Sequence, residues 1–311
     1  MEDILILSHH RKKTINRCRF KAYLHYDRRK RKVETDINLI FGTAFHTALD
    51  VYYNRKRKME FDDLRQVFEL AMDVPVPDDR SQLEQELSTW TKIGSQMLYN
   101  YHLITQANEH FEVLETERPF YLCLDEDGQI ICDAVTSKEN IPSNAFFILA
   151  GKIDLTIDMG GDIYFVDHKT TAFNKEKFEE HYRLDEQLLD YSIFGRWLYG
   201  ERFKGTLVNG LNKKLDSPEG LIFRMWMMYS DEEIDYAISS YMDTAQEHYI
   251  LRQQPHLLQQ RTQDFDCNRC TYEPVSTALR KGDDWETVLE LYYEDIEEMD
   301  WENEGVQTNM Q

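Results

Sequence analysis

Residues 151–170 read GKIDLTIDMGGDIYFVDHKT, two strand-like apolar runs joined by a connection that contains two glycines. Glycines at the centre of a short connection favour a tight turn between paired strands. Pairing across this turn brings Asp154 of the first run close to Asp167 of the second. Successive side chains of a strand point to opposite faces, so Asp167 and Lys169 share a face while His168 points away.

The acidic residues of this segment are suited to a divalent cation. The carboxylates of Asp154 and Asp167 and the backbone carbonyl of His168 offer oxygen ligands, which Mg²⁺ and Mn²⁺ prefer. The Lys169 ammonium beside them could hold or activate a water and stabilise charge that grows on a phosphate. The set therefore indicates metal-assisted phosphodiester hydrolysis. Asp-x-Lys alone is a weak signal, because a surface ion pair gives the same tripeptide.

Further polar residues accompany this segment. His46 follows Gly42-Thr43 on a predicted amphipathic helix, and Gln187 and Tyr191 stand four residues apart on a helix predicted over 175–198. Taken singly, each has a plain explanation as a satisfied structural histidine or a surface pair. Their order along the chain is more informative than any one of them.

Four motifs succeed one another: Gly-Thr-x-x-His at 42–46, Gly-x-x-Asp at 151–154, Asp-x-Lys-Thr at 167–170 and Gln-x-x-x-Tyr at 187–191. The set resembles the RecB-like branch of the PD-(D/E)xK nuclease superfamily, and is most similar to its CRISPR-associated and phage-encoded exonucleases. The resemblance runs from Cys18 to Cys270. It implies a metal-dependent deoxyribonuclease that hydrolyses DNA at ends or in single strands, in recombination, repair or CRISPR adaptation.

The resemblance also assigns metal ligands. His46 would bind or orient the metal ahead of the core. Asp154 and Asp167 would be the ligands proper, together with the carbonyl of His168. The superfamily accepts Asp or Glu at the second acidic position, so Asp167 is no departure from its pattern.

The remaining motif residues would act on DNA. The resemblance makes Lys169 the catalytic lysine, and Gln187 and Tyr191 the residues that position the scissile phosphate or nearby DNA. An alternative of another class is a catalytically silent protein that retains the fold and binds DNA ends or docks a partner. The complete Asp154, Asp167 and Lys169 set weighs against that alternative.

Cysteines suggest a second cofactor. Many members of the family hold a 4Fe–4S cluster on four cysteines, and Cys18, Cys267 and Cys270 match three of these positions, whereas the fourth is Ser276. Such a cluster would fasten distant segments of the chain together. With Ser276 as fourth ligand it could be labile, lose an iron or be absent. Zn²⁺ is a further alternative, because Cys-x2-Cys is a zinc half-site.

Charge is distributed unevenly along the 311 residues, whose formal net charge is −21. Residues 9–32 hold eleven Lys and Arg against one acid, Asp27, with aromatic residues interleaved. This pattern predicts either a surface that follows a DNA strand or a solvated helix face. Residues 283–304 are acidic with no Lys or Arg. They predict a solvated tail, or one that covers a basic groove or docks a protein partner.

The order of elements predicts an α/β fold: a restriction-endonuclease-like core with a mixed central sheet flanked by helices, preceded by an N-terminal helical region. We expect a single nuclease domain over 1–311, made of a helical region with the basic segment (1–110), the α/β core (111–255), a cysteine-containing segment (256–282) and an acidic tail (283–311). Neither a membrane span nor a secretory signal is recognisable, which predicts a cytoplasmic protein without a membrane partner. A homo-oligomer stays open.

Overall fold

The computed structural model describes residues 4–32, 36–55, 59–74, 81–133, 140–214, 220–254, 257 and 265–296. The described chain forms two compact units. The first unit contains residues 4–32, 121–151 and 238–296, and the second unit contains residues 36–120 and 152–237. The units combine segments that are distant in sequence, and the single nuclease domain with segment boundaries at 110, 255 and 282 stays a prediction.

A mixed β-sheet forms the centre of the fold. Its strands are β1 (Leu5–Leu7), β3 (Glu112–Leu124), β4 (Ile130–Cys132), β5 (Phe147–Met159), β6 (Asp162–Thr171), β7 (Phe203–Asn212) and β8 (Ile222–Met227). These seven strands of the described chain follow the order β4-β3-β5-β6-β7-β8, and β1 pairs with β5. β6 lies parallel to β7 and antiparallel to β5. With its flanking helices, this sheet confirms the predicted α/β fold class.

Helices occupy much of the remaining described chain. Their bounds are α1 (His9–Arg17), α2 (Arg19–Ala22), α3 (Ile37–Asn54), α4 (Phe61–Met72), α5 (Ser81–Asn108), α6 (Lys175–Arg183), α7 (Glu186–Tyr199), α8 (Asp231–Gln253), α9 (Glu273–Lys281) and α10 (Trp285–Tyr292). The single helix predicted over 175–198 is two helices. The Asp185 carboxylate accepts a hydrogen bond from the Gln187 N–H (2.9 Å), so it caps a new helix at that point.

An aromatic core fixes α3 in the second unit. Phe41 and Phe45 of α3 pack with Phe68 of α4, with ring centroids 5.7–5.8 Å apart. The same buried cluster includes Leu155 of β5 and Val166 of β6. Burying one such side chain stabilises the fold by about 1.5–3 kcal/mol. The cluster therefore holds α3, which carries His46, against the two central strands.

In the first unit, the basic segment meets the acidic one. β2 (Lys30–Lys32) pairs antiparallel with β9 (Tyr293–Asp295). Lys30 Nζ lies 3.0 Å from Asp295 Oδ1, and Arg31 Nε lies 2.7 Å from Glu294 Oε1. The described part of the acidic segment thus covers basic residues of the same chain.

Other basic residues of the N-terminal segment are also engaged within the first unit. Lys12 is buried, with its Nζ 4.3 Å from the centre of the Tyr241 ring, and Arg19 forms an ion pair with Glu247. The remainder of the predicted acidic tail, residues 297–311, lies outside the described residues. No helix in the described ranges is long and apolar enough to span a membrane.

Candidate active site

The β5–β6 hairpin positions the two central acids. The two strands pair across the Gly160-Gly161 turn, as predicted, and their register runs from Leu155 opposite Val166 to Met159 opposite Asp162. The turn residues Gly160 and Gly161 have φ of +73° and +104°, values that glycine adopts readily. One further step along this register would place Asp154 opposite Asp167. The Asp154 carboxylate accepts a hydrogen bond from the backbone N–H of His168 (2.7 Å), which ties the two strands together there.

Three side chains around Asp154 form a set of possible metal ligands. His46 Nδ1 lies 3.4 Å from Asp154 Oδ2 and 3.9 Å from Glu117 Oε1. One ligand atom from each of these residues lies within 4.8 Å of the other two. The predicted pair of His46 and Asp154 is therefore brought together, and Glu117 joins it. Imidazole and carboxylate ligands suit Mn²⁺, and the carboxylates also suit Mg²⁺.

Glu117 was not predicted from the sequence. Its backbone has a φ of +47°, in the left-handed region that a non-glycine residue in a strand rarely adopts. Such a conformation costs about 1–3 kcal/mol and is concentrated at functional sites. Lys152 forms an ion pair with the Glu117 carboxylate. Nothing local in the sequence distinguishes Glu117 from the neighbouring Glu112 and Glu115.

Asp167 belongs to a second, connected set. Lys169 Nζ lies 3.0 Å from Asp167 Oδ1 and donates to Gln187 Oε1 at 3.1 Å, and the Gln187 amide donates to the Tyr191 hydroxyl at 2.5 Å. The i, i+4 spacing of Gln187 and Tyr191 on α7 makes this last contact. Asp167 Oδ2 is buried and has no hydrogen-bond partner among the described residues. A buried carboxylate oxygen without a partner is costly unless a cation binds it.

The pKa values of the two acids, Asp154 and Asp167, are shifted in opposite directions. Burial raises the pKa of Asp167 to about 6, Lys169 opposes the rise, and Asp154 adds to it. Burial would raise the pKa of Asp154 too, but His46 outweighs it and holds that pKa well below its usual range. The site therefore contains one firmly ionised carboxylate beside one that resists ionisation.

The acids raise the pKa values of the two neighbouring basic residues, His46 and Lys169. Burial would lower the pKa of His46, but Asp154 and Glu117 raise it to about 10. Burial would likewise lower the pKa of Lys169, and Asp167 instead raises it. Both bases thus carry positive charge against the acids at neutral pH.

His168 has a supporting place behind the acids. Its ring stacks on Tyr53, with centroids 5.7 Å apart and planes at 12°, and its Nδ1 lies 3.0 Å from Asn209 Nδ2. The amide donates, so the proton of the neutral ring is on Nε2. Burial lowers the pKa of His168 to about 3 and keeps the ring neutral. The contact that joins His168 to Asp154 is its N–H. Metal binding by its carbonyl remains a prediction.

The predicted cysteine site lies in the first unit. Cys18 and Cys270 both pack against the apolar cluster that contains Phe20 and Tyr272. Ser276 is buried, and its hydroxyl has no hydrogen-bond partner among the described residues. Across those residues, the group that brings three potential metal-ligand atoms within 4.8 Å is the His46 group, which contains no cysteine. The iron–sulfur cluster therefore stays a prediction.

Comparison with known proteins gives relatives for about half of the chain. A segment of 147 residues is 29% identical to an ATP-dependent helicase/nuclease protein of Staphylococcus epidermidis and covers 47% of this chain and 11% of that protein. The protein of the same name from Staphylococcus saprophyticus subsp. saprophyticus is 30% identical over 137 residues, with coverages of 44% and 10%. The match thus spans about a tenth of these relatives' length.

Among solved structures, the chain in the crystal structure of SSO0001 is 12% identical, with coverage of 85% of this chain and 92% of that one. The TM-score is 0.31, too low to support a conclusion. The sequence model of the PD-(D/E)XK nuclease superfamily matches residues 6–275, nearly the whole chain. This match includes all four motifs and confirms the predicted superfamily, whereas the CRISPR-associated and phage-encoded subtype stays a prediction. The chain belongs to the PD-(D/E)XK nuclease superfamily.

Proposed function

We propose that this nuclease is a DNA exonuclease that depends on Mg²⁺ or Mn²⁺ and acts at DNA ends or on single strands. The observation that carries the proposal is the buried Asp167 Oδ2, which lies beside Lys169 and has no hydrogen-bond partner in the described part of the chain. A purely structural ion pair would be expected to have both carboxylate oxygens hydrogen-bonded. A metal site instead needs a carboxylate oxygen that is free to bind the cation. Recombination, repair or CRISPR adaptation would use such an activity.

The residues fit a hard divalent cation. Glu117 and Asp154 would hold it, with Asp167 Oδ2 as a further oxygen ligand. His46 would join them as a neutral imidazole, because the bound cation would displace the proton that His46 otherwise carries. When bound, such a cation lowers the pKa of water and polarises a phosphoryl oxygen. The positive charge that Lys169 retains would stabilise negative charge growing on the phosphate.

Other residues keep Lys169 in place. Gln187 accepts a hydrogen bond from the Lys169 ammonium and donates one to the Tyr191 hydroxyl. These contacts restrict the orientation of the lysine side chain. Holding a charged group in place before reaction lowers the barrier, because little reorganisation is then needed. Gln187 and Tyr191 would thus position the lysine as well as nearby DNA.

A nuclease assay tests the proposed function. We expect purified wild-type protein to shorten end-labelled single-stranded DNA with Mn²⁺ or Mg²⁺, and to stop when EDTA is added. A circular single strand should resist, because an exonuclease needs an end. Cleavage of the circle would contradict the exonuclease assignment, and inert protein in both metals would favour the silent DNA-end-binding alternative.

Metal binding can be tested apart from activity. We expect Mn²⁺ to raise the Tm of the wild type, because a ligand at about 100 times its Kd stabilises the folded state by about 2.7 kcal/mol. Glu117→Gln should largely remove this rise. The control is Glu115→Gln, two residues away on β3, where the Glu115 side chain is 43% exposed and pairs with Arg118. An equal Mn²⁺ shift in both variants would refute a role for Glu117.

We propose three further features of this nuclease, for which the structure gives less direct support. The chain acts as one nuclease domain over residues 1–311. Its basic N-terminal segment contacts DNA, through residues such as the exposed Lys13 rather than through the paired Lys30 and Arg31.

Cys18, Cys267 and Cys270 hold an iron–sulfur cluster, and iron-free protein after anaerobic purification would exclude it. A protein partner for the acidic tail and a homo-oligomer remain predictions.

A further inference from the structure

Helix α6 is anchored directly beside Lys169. In the parallel β6–β7 pair, Lys169 is the register partner of Gly210. A Cβ atom at Gly210 would lie only 2.3 Å from the ring of Phe178, so the missing side chain is what admits that ring. Phe178 is fully buried and also packs on Phe223 of β8. The position of α6 next to the site is therefore fixed by packing.

A row of rings leads outward from this anchor. Tyr182 lies one helical turn beyond Phe178, with ring centroids 4.6 Å apart. Burial raises the pKa of Tyr182 to about 12, and the charges of Lys169 and Asp167 act on its hydroxyl. The neighbouring His181 ring meets Tyr182 edge-on at 4.9 Å, and Phe173 lies 5.7 Å from His181.

The outermost ring, Phe173, is exposed yet held in place. Its side chain has 43% exposure, and it follows the last residues of β6. Its N–H donates to Thr171 Oγ1 (3.0 Å), and Asn174 Oδ1 accepts from the Lys177 N–H (3.0 Å), which caps α6. The chain is thus fixed on both sides of the ring. A single exposed apolar residue is ordinary, but an exposed ring that is held in place beside an imidazole, on the segment that follows Lys169 along the chain, has the form of a stacking surface.

We propose that the Phe173 ring, with the tilted His181 ring packed against it, stacks on an unpaired nucleobase of the DNA strand whose phosphate lies at Lys169. This inference rests on the proposed function and refines its substrate. A base inside a double helix has both faces covered by its neighbours and cannot stack on this ring, so the surface favours single-stranded or frayed ends. Aromatic stacking tolerates any base, so the preference is for strandedness rather than sequence.

The test measures binding in EDTA, where cleavage does not interfere. Single-stranded oligonucleotides carry either 2-aminopurine, whose fluorescence falls on stacking, or an abasic site at successive positions from the end. For wild type we expect one position where the abasic site weakens binding about fivefold or more and where 2-aminopurine is quenched. Phe173→Ala should lose both effects, whereas Phe173→Tyr should retain them.

Trp197→Ala is the matched control, because Trp197 is an α7 aromatic residue of similar exposure, 45%. It should behave as the wild type. Equal position dependence in wild type and Phe173→Ala would overturn the stacking surface while leaving the nuclease assignment intact. If the wild type neither binds the oligonucleotides nor cleaves them with Mn²⁺, the proposed function fails, and the stacking surface fails with it.

Discussion

Lys169→Ala is expected to lower DNA cleavage by about 10²- to 10⁴-fold, the range found when a positioned charged or proton-transferring group is removed from an active site. The Lys169 side chain is 11% exposed, its ammonium contacts Asp167 and Gln187, and its raised pKa keeps it charged. The substitution removes the single ammonium that these contacts hold in place. Initial rates on end-labelled single-stranded DNA in saturating Mn²⁺ measure the effect.

Lys175→Ala is the control for this prediction. Lys175 lies at the start of α6, where its side chain is 66% exposed and 3.8 Å from Glu179. An exposed pair of this kind contributes about 0–1 kcal/mol, so the variant should cleave as the wild type does. Lys169→Met keeps the apolar stem and guards against loss of packing. A folded Lys169→Met protein with wild-type rates would remove Lys169 from the mechanism.

The hairpin that carries the site is the part of the fold best predicted from the sequence. Two short-range signals determine it: apolar runs of strand length, and glycines at 160 and 161 that permit positive φ. The register follows from the turn, and the register brings Asp154 near Asp167. The contact between Gln187 and Tyr191 could be predicted equally well, because i, i+4 spacing on a helix makes the two side chains neighbours. The functional roles of these residues remain predictions.

What the sequence could not supply depends on contacts between distant segments. Glu117 of β3, whose backbone has a positive φ, lies 3.9 Å from His46 of α3, a contact between two distant segments. The ion pairs between Arg31 and Glu294 and between Lys30 and Asp295 depend on β2 meeting β9 more than 260 residues later. The break at Asp185 differs in kind, because an aspartate before a helical run is a local N-cap signal that could have been recognised.

Behind His168 lies a buried polar network that begins at Glu109. The Tyr53 hydroxyl donates to Glu109 Oε2 (3.0 Å) and lies 2.5 Å from the Tyr101 hydroxyl, to which the Asn209 amide donates. That amide also reaches His168 Nδ1, at 3.0 Å. The glutamate carboxylate thus terminates a chain of hydrogen bonds that runs to the strand carrying Asp167 and Lys169.

Glu109→Ala is therefore expected to lower the free energy of unfolding by about 2–3 kcal/mol. The Glu109 side chain is 1% exposed and forms an ion pair with Arg224, which is 32% exposed. Removing one partner of a fully buried pair costs about 3–5 kcal/mol, and the partial exposure of Arg224 reduces that cost because water can solvate it. Denaturant titration compares the variant with Glu112→Ala, an exposed glutamate on β3. Adding Arg224→Met should recover part of the loss, because no unpaired charge then remains. Equal stability of Glu109→Ala and Glu112→Ala would show that the network does not support the strand.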